Sequence, residues 1–368
     1  MAFTRRVFAT VVPGEELHLN WHLEAIAFKL DRVMQGENRR LLITIPPRHL
    51  KSIMTTVALP AFVLGRDPTK KIVCVSYSHE LATKHAIDCR AVMQSDWYQR
   101  LFPMTRIGEK NTEMDFITTQ RGGRFATSVG GTLTGRGGDL FVIDDPQKPD
   151  EAMSEASRTR ANAWFESTLM SRLNDKQKSA IVMVVQRLHV DDIAGLVLEK
   201  GGWSHLDIPA IADEEQTFRL YSGGAQHRKV GDLLDPKREP QHVLDELKAS
   251  MGTMAFSAQY LQRPVPLAGN LIKSSWFRFY DQAPRIEETD FLVISWDTAM
   301  KADQLADHSV GTIWLVRGQT SYLLDLVRDK FEFPALKRAV LSTRQRFPSA
   351  KILIEDKGSG MSLNLYLQ

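Results

Sequence analysis

The chain has 368 residues, 43% of them hydrophobic and 25% charged, which is enough for one large core or two modest ones. Its formal net charge of +3 is small for this length, so any contact with DNA has to rest on local basic patches. Two cysteines without a C-x-x-C pair argue against a disulfide framework or a zinc ribbon, and Cys74, inside KIVCVSYS, is expected in the core. No apolar run is long enough to cross a membrane, and the N-terminus lacks a signal-peptide core, so a soluble cytoplasmic α/β protein is expected.

The first two-thirds of the chain alternates short apolar runs with longer helical patterns. Nearly continuous apolar runs, typical of parallel strands covered on both faces, are RRLLITI, KIVCVSYS, DLFVIDD, SAIVMVVQR and HLDIPAI. Apolar residues at three- and four-residue spacing predict helices in KSIMTTVALPAFVLG, ELATKHAIDCRAVMQ and EASRTRANAWFESTLMSRL. This alternation favours a doubly wound parallel sheet with ligands at the C-terminal ends of its strands.

A different order follows in the last third. Prolines and a glycine interrupt the pattern in QRPVPLAGNLIK, which predicts a linker. The runs FLVISWDTA, HSVGTIWLV and SYLLDLVRD then predict three successive strands, a meander, before a helix in FPALKRAVLSTRQRF and a strand in AKILIED. The expected organisation is a first domain over 1–265, a linker over 266–284 and a second domain over 285–368.

The stretch LLITIPPRHLKSIMTT has the form of a strand, a tight loop and a helix, and its loop carries Lys51 and Ser52. The phosphate-loop pattern G-x-x-x-x-G-K-[ST] would place glycines where this chain has Ile45 and Leu50. Leu50 is therefore expected to adopt an ordinary backbone conformation, unless the loop differs from the usual one. Taken alone, the stretch is either a nucleotide site or an ordinary turn that contains Lys-Ser.

Further along, GDLFVIDDP brings Asp144 and Asp145 to the C-terminal end of an apolar strand. Adjacent carboxylates there suit the metal and water of a phosphoryl-transfer site, and the alternative is a turn or helix cap, which Asp-Asp-Pro also favours. Together with Lys51 and Ser52 in one sheet, they favour a nucleotide site. The preceding SVGGTLTGRGGD is either a flexible turn or a loop that presents Arg136 to phosphates.

The ordered set PPRHLKS, GGTLTGRGGDLFVIDDP, QRLHVDDIAG and AQYLQRPVPLAG resembles the large terminase subunit of tailed bacteriophages and prophages, over essentially the whole chain. The resemblance implies a packaging ATPase of the P-loop NTPase (RecA/ASCE-like) fold, followed by an RNase H-like nuclease. That family cuts concatemeric viral DNA and pumps double-stranded DNA into a capsid. ATP and Mg²⁺ are the implied cofactors. The implied partners are a portal protein, a small terminase subunit and further copies in a ring, in the host cytoplasm at the procapsid and with no membrane.

Carried onto this sequence, the resemblance implies that Lys51 and Ser52 hold the ATP phosphates and Mg²⁺, with Arg48 as an additional phosphate contact. Asp144 would support the metal. Asp145 stands where the family often has glutamate as the base that polarises water, and an aspartate reaches less far.

Three more positions complete the implied ATPase site. Arg136 would be an arginine finger that acts across a subunit boundary. Gln186 replaces the more usual Thr or Ser of the coupling motif, and its amide can still hydrogen-bond a γ-phosphate or its water. Trp21 lies where the family contacts adenine, and it is otherwise a core residue.

In the second domain, Asp297 ends the first strand and Glu355 ends the fourth. In an RNase H-like fold such acids converge on two metal ions, Mg²⁺ or Mn²⁺, that activate water and stabilise the leaving oxygen. Asp307 is either a further ligand or a turn residue. The family carries another essential carboxylate well beyond the fourth strand, whereas this chain stops at MSLNLYLQ. The nuclease domain is therefore expected to be truncated, with its nuclease activity lost.

Two other functions remain open at this stage. A catalytically inactive prophage remnant would keep the fold without turnover, and Leu50, Asp145 and Gln186 are the departures that support it. A P-loop helicase or translocase whose second domain is not a nuclease would unwind a forked duplex.

Overall fold

The computed structural model describes residues 1–133, 135–265, 277–298, 308–318 and 320–354. The chain divides into two compact units, Met1–Asn270 and Leu271–Gln368. The expected domain bounds of 1–265 and 285–368 stay a prediction, because much of the segment between them lies outside the described residues. None of the described helices has the length and apolar composition needed to cross a bilayer.

Three of the described helices of unit 1 lie in the stretches that were predicted to be helical, and the other six were not predicted. In chain order the helices are α1 (Ala2–Val11), α2 (Trp21–Met34), α3 (Leu59–Arg66), α4 (His79–Gln94), α5 (Asp96–Leu101), α6 (Glu155–Ala163), α7 (Ile193–Lys200), α8 (Gln241–Met251) and α9 (Thr253–Gln259). The predicted helix over 155–173 is not uniform, because α6 continues into a π-helical turn, Trp164–Leu169, and a 3₁₀ turn, Met170–Arg172.

The strands of unit 1 are β1 (Arg40–Thr44), β2 (Lys71–Ser76), β3 (Ile107–Asn111), β4 (Asp115–Thr118), β5 (Gly123–Ser128), β6 (Leu140–Asp144), β7 (Ala180–Val185), β8 (Ser204–Asp207), β9 (Gln216–Arg219) and β10 (Ala225–Arg228). Eight of them form one sheet in the order β3-β4-β5-β2-β6-β7-β1-β8, and β9 and β10 form a hairpin. The six strands β5, β2, β6, β7, β1 and β8 are parallel to one another. At the other edge, β3 pairs antiparallel with β4, and β4 pairs antiparallel with β5.

The predicted mixed α/β fold with a large, mainly parallel sheet is confirmed, and all five predicted strands are present. The five others, β3, β4, β5, β9 and β10, were not predicted, because their sequences are short and polar. Apolar side chains cover both sheet faces, with α1 to α4 on one side and α6 and α7 on the other. Cys74 and Cys89 are buried free thiols in the first of these clusters, as expected for Cys74.

The helix that follows β1 begins with π-helical geometry, which is wider than an α-helix. A π-helical segment, Ile53–Ala58, leads directly into α3, whose second residue is Pro60. Proline has no N–H to donate to the carbonyl four residues earlier, that of Thr56. The buried guanidinium of Arg124, on β5, donates to this carbonyl from Nη2 at 3.2 Å. The disturbed helix is therefore supported by the neighbouring strand.

Unit 2 contains β11 (Phe291–Asp297), β12 (Ser309–Arg317), β13 (Thr320–Asp329), α10 (Phe333–Arg346) and β14 (Lys351–Ile354). The sheet order is β13-β12-β11-β14, with β11 to β13 antiparallel and β14 parallel to β11. The three predicted successive strands thus form a meander. Alternate side chains of β11, Leu292, Ile294 and Trp296, are buried, the last two in a cluster with α10.

Candidate functional site

The candidate site of unit 1 lies where β1 and β6 end. These strands flank β7 in parallel, so their C-terminal ends meet at one edge of the sheet. The loop after β1 leads to Lys51, and β6 ends at Asp144, which is followed by Asp145. The four side chains predicted from the two motifs come together there, because Lys51 contacts Asp145 and Ser52 contacts Asp144.

The loop backbone departs from the expectation for Leu50. Its φ is 62°, and that of Arg48 is 65°, so both residues adopt the left-handed conformation that favours glycine. The expectation of an ordinary conformation at Leu50 was wrong. For a residue with a Cβ this region costs about 1–2 kcal/mol, because Cβ approaches the following carbonyl oxygen. The loop therefore reaches a glycine-like conformation without glycine, and other contacts have to compensate the strain.

Lys51 is nearly fully buried, and its amine is paired. Lys51 Nζ lies 2.8 Å from Asp145 Oδ1, and the backbone N–H of Gln186 donates to the same oxygen at 3.0 Å. Asp145 has a φ of 42°, so its backbone is strained as well. The amine and the carboxylate neutralise each other in this arrangement, and an incoming phosphate would compete with Asp145 for the ammonium group.

Asp144 has no exposed surface. Its Oδ1 accepts a hydrogen bond from Ser52 Oγ at 3.1 Å, and within the described ranges Oδ2 has no hydrogen-bond partner. Burial, and then the Asp145 carboxylate, raise the pKa of Asp144 to about 7, although Lys51 and Ser52 lower it. A buried carboxyl group with one free oxygen is thus in need of a cation or a proton.

His85, on α4, lies behind this carboxylate, with Nδ1 3.5 Å from Asp144 Oδ2. Burial, and then Arg124 and Lys84, lower the pKa of His85 to about 3, so the imidazole is neutral and does not form an ion pair. It leaves Oδ2 available to a divalent cation. Mg²⁺ is commonly held by one or two carboxylates, a hydroxyl and substrate phosphates. Ser52 and Asp144 fit that donor set, and no larger group of His, Cys, Asp or Glu suited to a metal occurs in the part of the chain that the structure describes.

Gln186 follows β7 and faces the same edge of the sheet. Its side-chain Oε1 is buried and has no hydrogen-bond partner among the described residues. The segment behind it is fixed by Asp192, whose carboxylate accepts from the backbone N–H groups of Leu188, His189 and Gly195 and from Arg187 Nε. The Gln186 side chain is therefore a polar group with a free acceptor atom beside Asp145, on a firmly held segment.

Arg136 does not lie at this edge in its own chain. Its Nη1 is 2.7 Å from Asp115 Oδ2, and its guanidinium carbon is 3.9 Å from the centroid of the Phe125 ring. Phe125 is the strand-pairing partner of Val73 on β2. Three residues further along β2, Ser76 is the strand-pairing partner of Asp144. Three residues of a strand span about 10 Å, so Arg136 is held in the middle of the sheet. A role across a subunit boundary stays a prediction.

Two further predicted positions differ in their surroundings. Arg48 is exposed at the tip of the loop, where its side chain is accessible to a phosphate. Trp21 packs on the core, with its ring 4.9 Å from that of Phe218 and its Nε1 donating to the carbonyl of Leu234 at 3.2 Å. These contacts agree with the core alternative for Trp21.

The acids of the second unit are only partly described. Asp297 is exposed at the end of β11, and the preceding Trp296 pairs with Ile354, the last residue of β14. Strands β11 and β14 therefore end at the same edge of their sheet. Asp307 and Glu355 lie outside the described residues.

Several residues of the site were not predicted. His85, His49 and Arg124 are buried around the loop and the carboxylates, and Arg238 contacts the loop from a position far along the chain. The sequence carries no local signal for them, because a buried histidine or arginine has the same neighbours in sequence as an exposed one.

No protein-family model and no curated protein matches the sequence. Solved structures similar to the chain include large terminases, proteins of the family that the sequence resembles. The HK97 bacteriophage large terminase is 13% identical, over 95% of this chain and 74% of that chain, with a TM-score of 0.45. The ATPase domain of the Thermus phage P74-26 large terminase is 11% identical, over 70% and 98%, with a TM-score of 0.47. The large terminase of a thermophilic bacteriophage, in complex with ADP, is 9% identical, over 92% and 79%, with a TM-score of 0.36.

Proposed function

We propose that the chain is the motor subunit of a phage DNA-packaging machine, which hydrolyses ATP to translocate double-stranded DNA into a capsid. The observation that carries this proposal is the meeting of Lys51, Ser52, Asp144 and Asp145 at the C-terminal edge of a parallel sheet, with Asp144 fully buried. This edge is where ligands bind in α/β sheets of this kind. The sequence resemblance to large terminases supports the same function.

The residues present divide the work of phosphoryl transfer between them. Lys51 would exchange its contact with Asp145 for the ATP phosphates, and Arg48 would add a second positive charge from the loop tip. Ser52 and Asp144 would hold Mg²⁺, which when bound neutralises charge on the phosphates. Released from Lys51, the Asp145 carboxylate would orient the attacking water and accept its proton, and the free Oε1 of Gln186 could accept a second hydrogen bond from that water.

The remaining parts of the proposal concern the assembly. Arg136 would complete the site of a neighbouring copy in a homo-oligomeric ring on a portal protein, with a small terminase subunit selecting the DNA in the host cytoplasm. In unit 2, Asp297, Asp307 and Glu355 would hold two Mg²⁺ or Mn²⁺ ions in an RNase H-like nuclease site that, in the complete protein, cuts concatemeric DNA.

The test is ATP hydrolysis by the purified chain, with and without double-stranded DNA. Lys51→Ala and Asp144→Asn should each reduce turnover by about 100-fold or more, the usual effect of removing a group that stabilises transition-state charge. Lys70→Ala is the matched control, because this lysine is exposed, pairs with Asp67 three residues earlier and precedes β2 at the opposite end from the site. Stimulation by DNA would support a motor. Equal activity in all four proteins would refute the proposal, and activity that appears only when portal-bound rings form would support a site completed by a neighbouring subunit.

A further inference from the structure

The loop after β1 contains no glycine, so contacts from the rest of the structure have to stabilise its strained backbone. Arg48 and Leu50 both have φ values in the left-handed region, 65° and 62°. Such conformations persist only when the surrounding structure determines them. His49, the residue between them, has no exposed surface. The residues that pack around His49 are therefore candidates for the stabilising contacts.

The polar part of that packing comes from one turn, residues 235–239, far along the chain. The Arg238 guanidinium donates from Nη1 to the carbonyl of Arg48 at 2.7 Å and from Nη2 to Glu239 Oε1 at 2.7 Å. The same Nη2 lies 3.4 Å from the nitrogens of the His49 ring. One side chain therefore contacts two consecutive loop residues, and one of its contacts fixes the carbonyl of a strained residue directly.

His49 completes the contact from the loop side. Its Nδ1 lies 2.9 Å from the carbonyl oxygen of Pro47, to which it donates, and its Nε2 lies 3.5 Å from Glu239 Oε2. Burial lowers the pKa of His49, so the neutral ring keeps a lone pair on Nε2 toward Arg238. His49 thus contacts the carbonyl at the start of the loop, that of Pro47, while Arg238 contacts the next carbonyl, that of Arg48.

The turn itself is anchored to the start of α2. The carbonyl of Leu234 accepts from Asn20 Nδ2 at 3.0 Å and from Trp21 Nε1 at 3.2 Å. His18 Nε2 lies 3.6 Å from Asp235 Oδ1. Since α2 packs in the main core, the turn is a fixed support for the loop.

We propose that Arg238 is a positioning residue for the phosphate loop, which holds the Arg48 carbonyl and thereby maintains the left-handed backbone that glycines would otherwise supply. The proposal rests on the proposed function, because the loop is useful in this conformation only if its N–H groups face a phosphate. Arg238 itself does not need to touch the nucleotide. Its effect on binding depends on the strain at residue 48.

The first experiment does not involve nucleotide. Amide hydrogen exchange of the peptide that covers 46–52 is compared in the wild-type chain, in Arg238→Ala and in Lys237→Ala. Lys237 is the matched control, because it is an exposed positive charge on the same turn. We expect exchange to be about ten-fold faster in Arg238→Ala alone, which corresponds to about 1.4 kcal/mol of lost local stability. Unchanged exchange in Arg238→Ala would overturn the proposal.

The second experiment is a double-mutant cycle read by the affinity for Mg·ADP. Arg238→Ala should weaken binding by about ten-fold in the wild-type background and by less than about two-fold in Arg48→Gly, where residue 48 has no strain to maintain. The same loss of affinity in both backgrounds would overturn the positioning role of Arg238 and would indicate that Arg238 contacts the nucleotide directly. If the wild-type chain does not bind Mg·ADP, the proposed function fails, whereas the exchange experiment still decides whether Arg238 holds the loop.

Discussion

His22 should make the fold of unit 1 sensitive to acid, and its replacement should remove that sensitivity. The ring lies on α2 with 3% of the side chain exposed, and neither nitrogen has a hydrogen-bond partner within the described ranges. It packs edge-on against the His49 ring at 5.4 Å. Burial, and then His49, lower the pKa of His22 from 6.5 to about 3, so the folded chain keeps this imidazole neutral.

The sign and size of the effect follow from proton linkage. Below pH 6.5 the unfolded chain binds a proton at His22, whereas the folded chain does not until about pH 3, so the free energy of unfolding falls as the pH falls. The slope approaches about 1.4 kcal/mol per pH unit once the unfolded imidazole is fully protonated, and the total loss between pH 6.5 and pH 4.5 is about 2.3 kcal/mol. His49 adds a loss of the same sign, because burial lowers its pKa too.

The assay is urea unfolding of wild type and His22→Leu at pH 6.5, 5.5 and 4.5. Leucine is similar in size and loses no hydrogen bond, so the two proteins should be about equally stable near neutral pH and diverge in favour of leucine as the pH falls. His242→Gln, at an exposed position on α8, should keep the wild-type pH dependence. Parallel pH curves for wild type and His22→Leu would refute the assignment of a buried, neutral His22.

Three further predictions concern the supporting structure. Asp192→Ala should destabilise unit 1 by about 3–5 kcal/mol in urea unfolding, because it leaves the buried Arg187 unpaired, whereas the exposed Asp191→Ala should cost less than about 1 kcal/mol. Gly195→Ala should cost about 1–3 kcal/mol in the same assay, since its Cβ would lie 1.8 Å from the Val190 carbonyl oxygen; wild-type stability would contradict this packing. The two buried thiols should react with a thiol reagent only after unfolding, because burial raises the pKa of Cys89 to about 12; rapid labelling of the native chain would show that they are accessible.

The sequence predicted best those elements whose apolar runs are long. The five apolar strands and the order of unit 2 follow from hydrophobic pattern, because strands buried on both faces cannot tolerate polar residues. The edge strand β3 was missed, since an exposed edge selects no such pattern, and β4 beside it was missed because four residues are too few to show one. The π-helical turn before Pro60 was missed as well, because the break depends on the support that Arg124 gives from another strand.

Only those residues of the candidate site that lie within a recognisable sequence motif were predicted. Lys51, Ser52, Asp144 and Asp145 were expected to meet because parallel strands bring their C-terminal ends to one edge. The left-handed conformation of Leu50 could not be predicted, because the loop is contacted by Arg238, 190 positions after Arg48, and such a contact leaves no trace in the local sequence.

The backbone after β7 also has a mechanical consequence. The N–H of Gln186 is bound to the Asp145 carboxylate, and the next N–H, of Arg187, is bound to the buried side chain of Gln262 at 3.1 Å. Because each peptide group is planar, only the φ and ψ torsions of Gln186 separate these two hydrogen bonds. The Asp145 carboxylate is thus connected through a single residue to Gln262, near the end of the described part of unit 1, by a route that does not pass through the sheet.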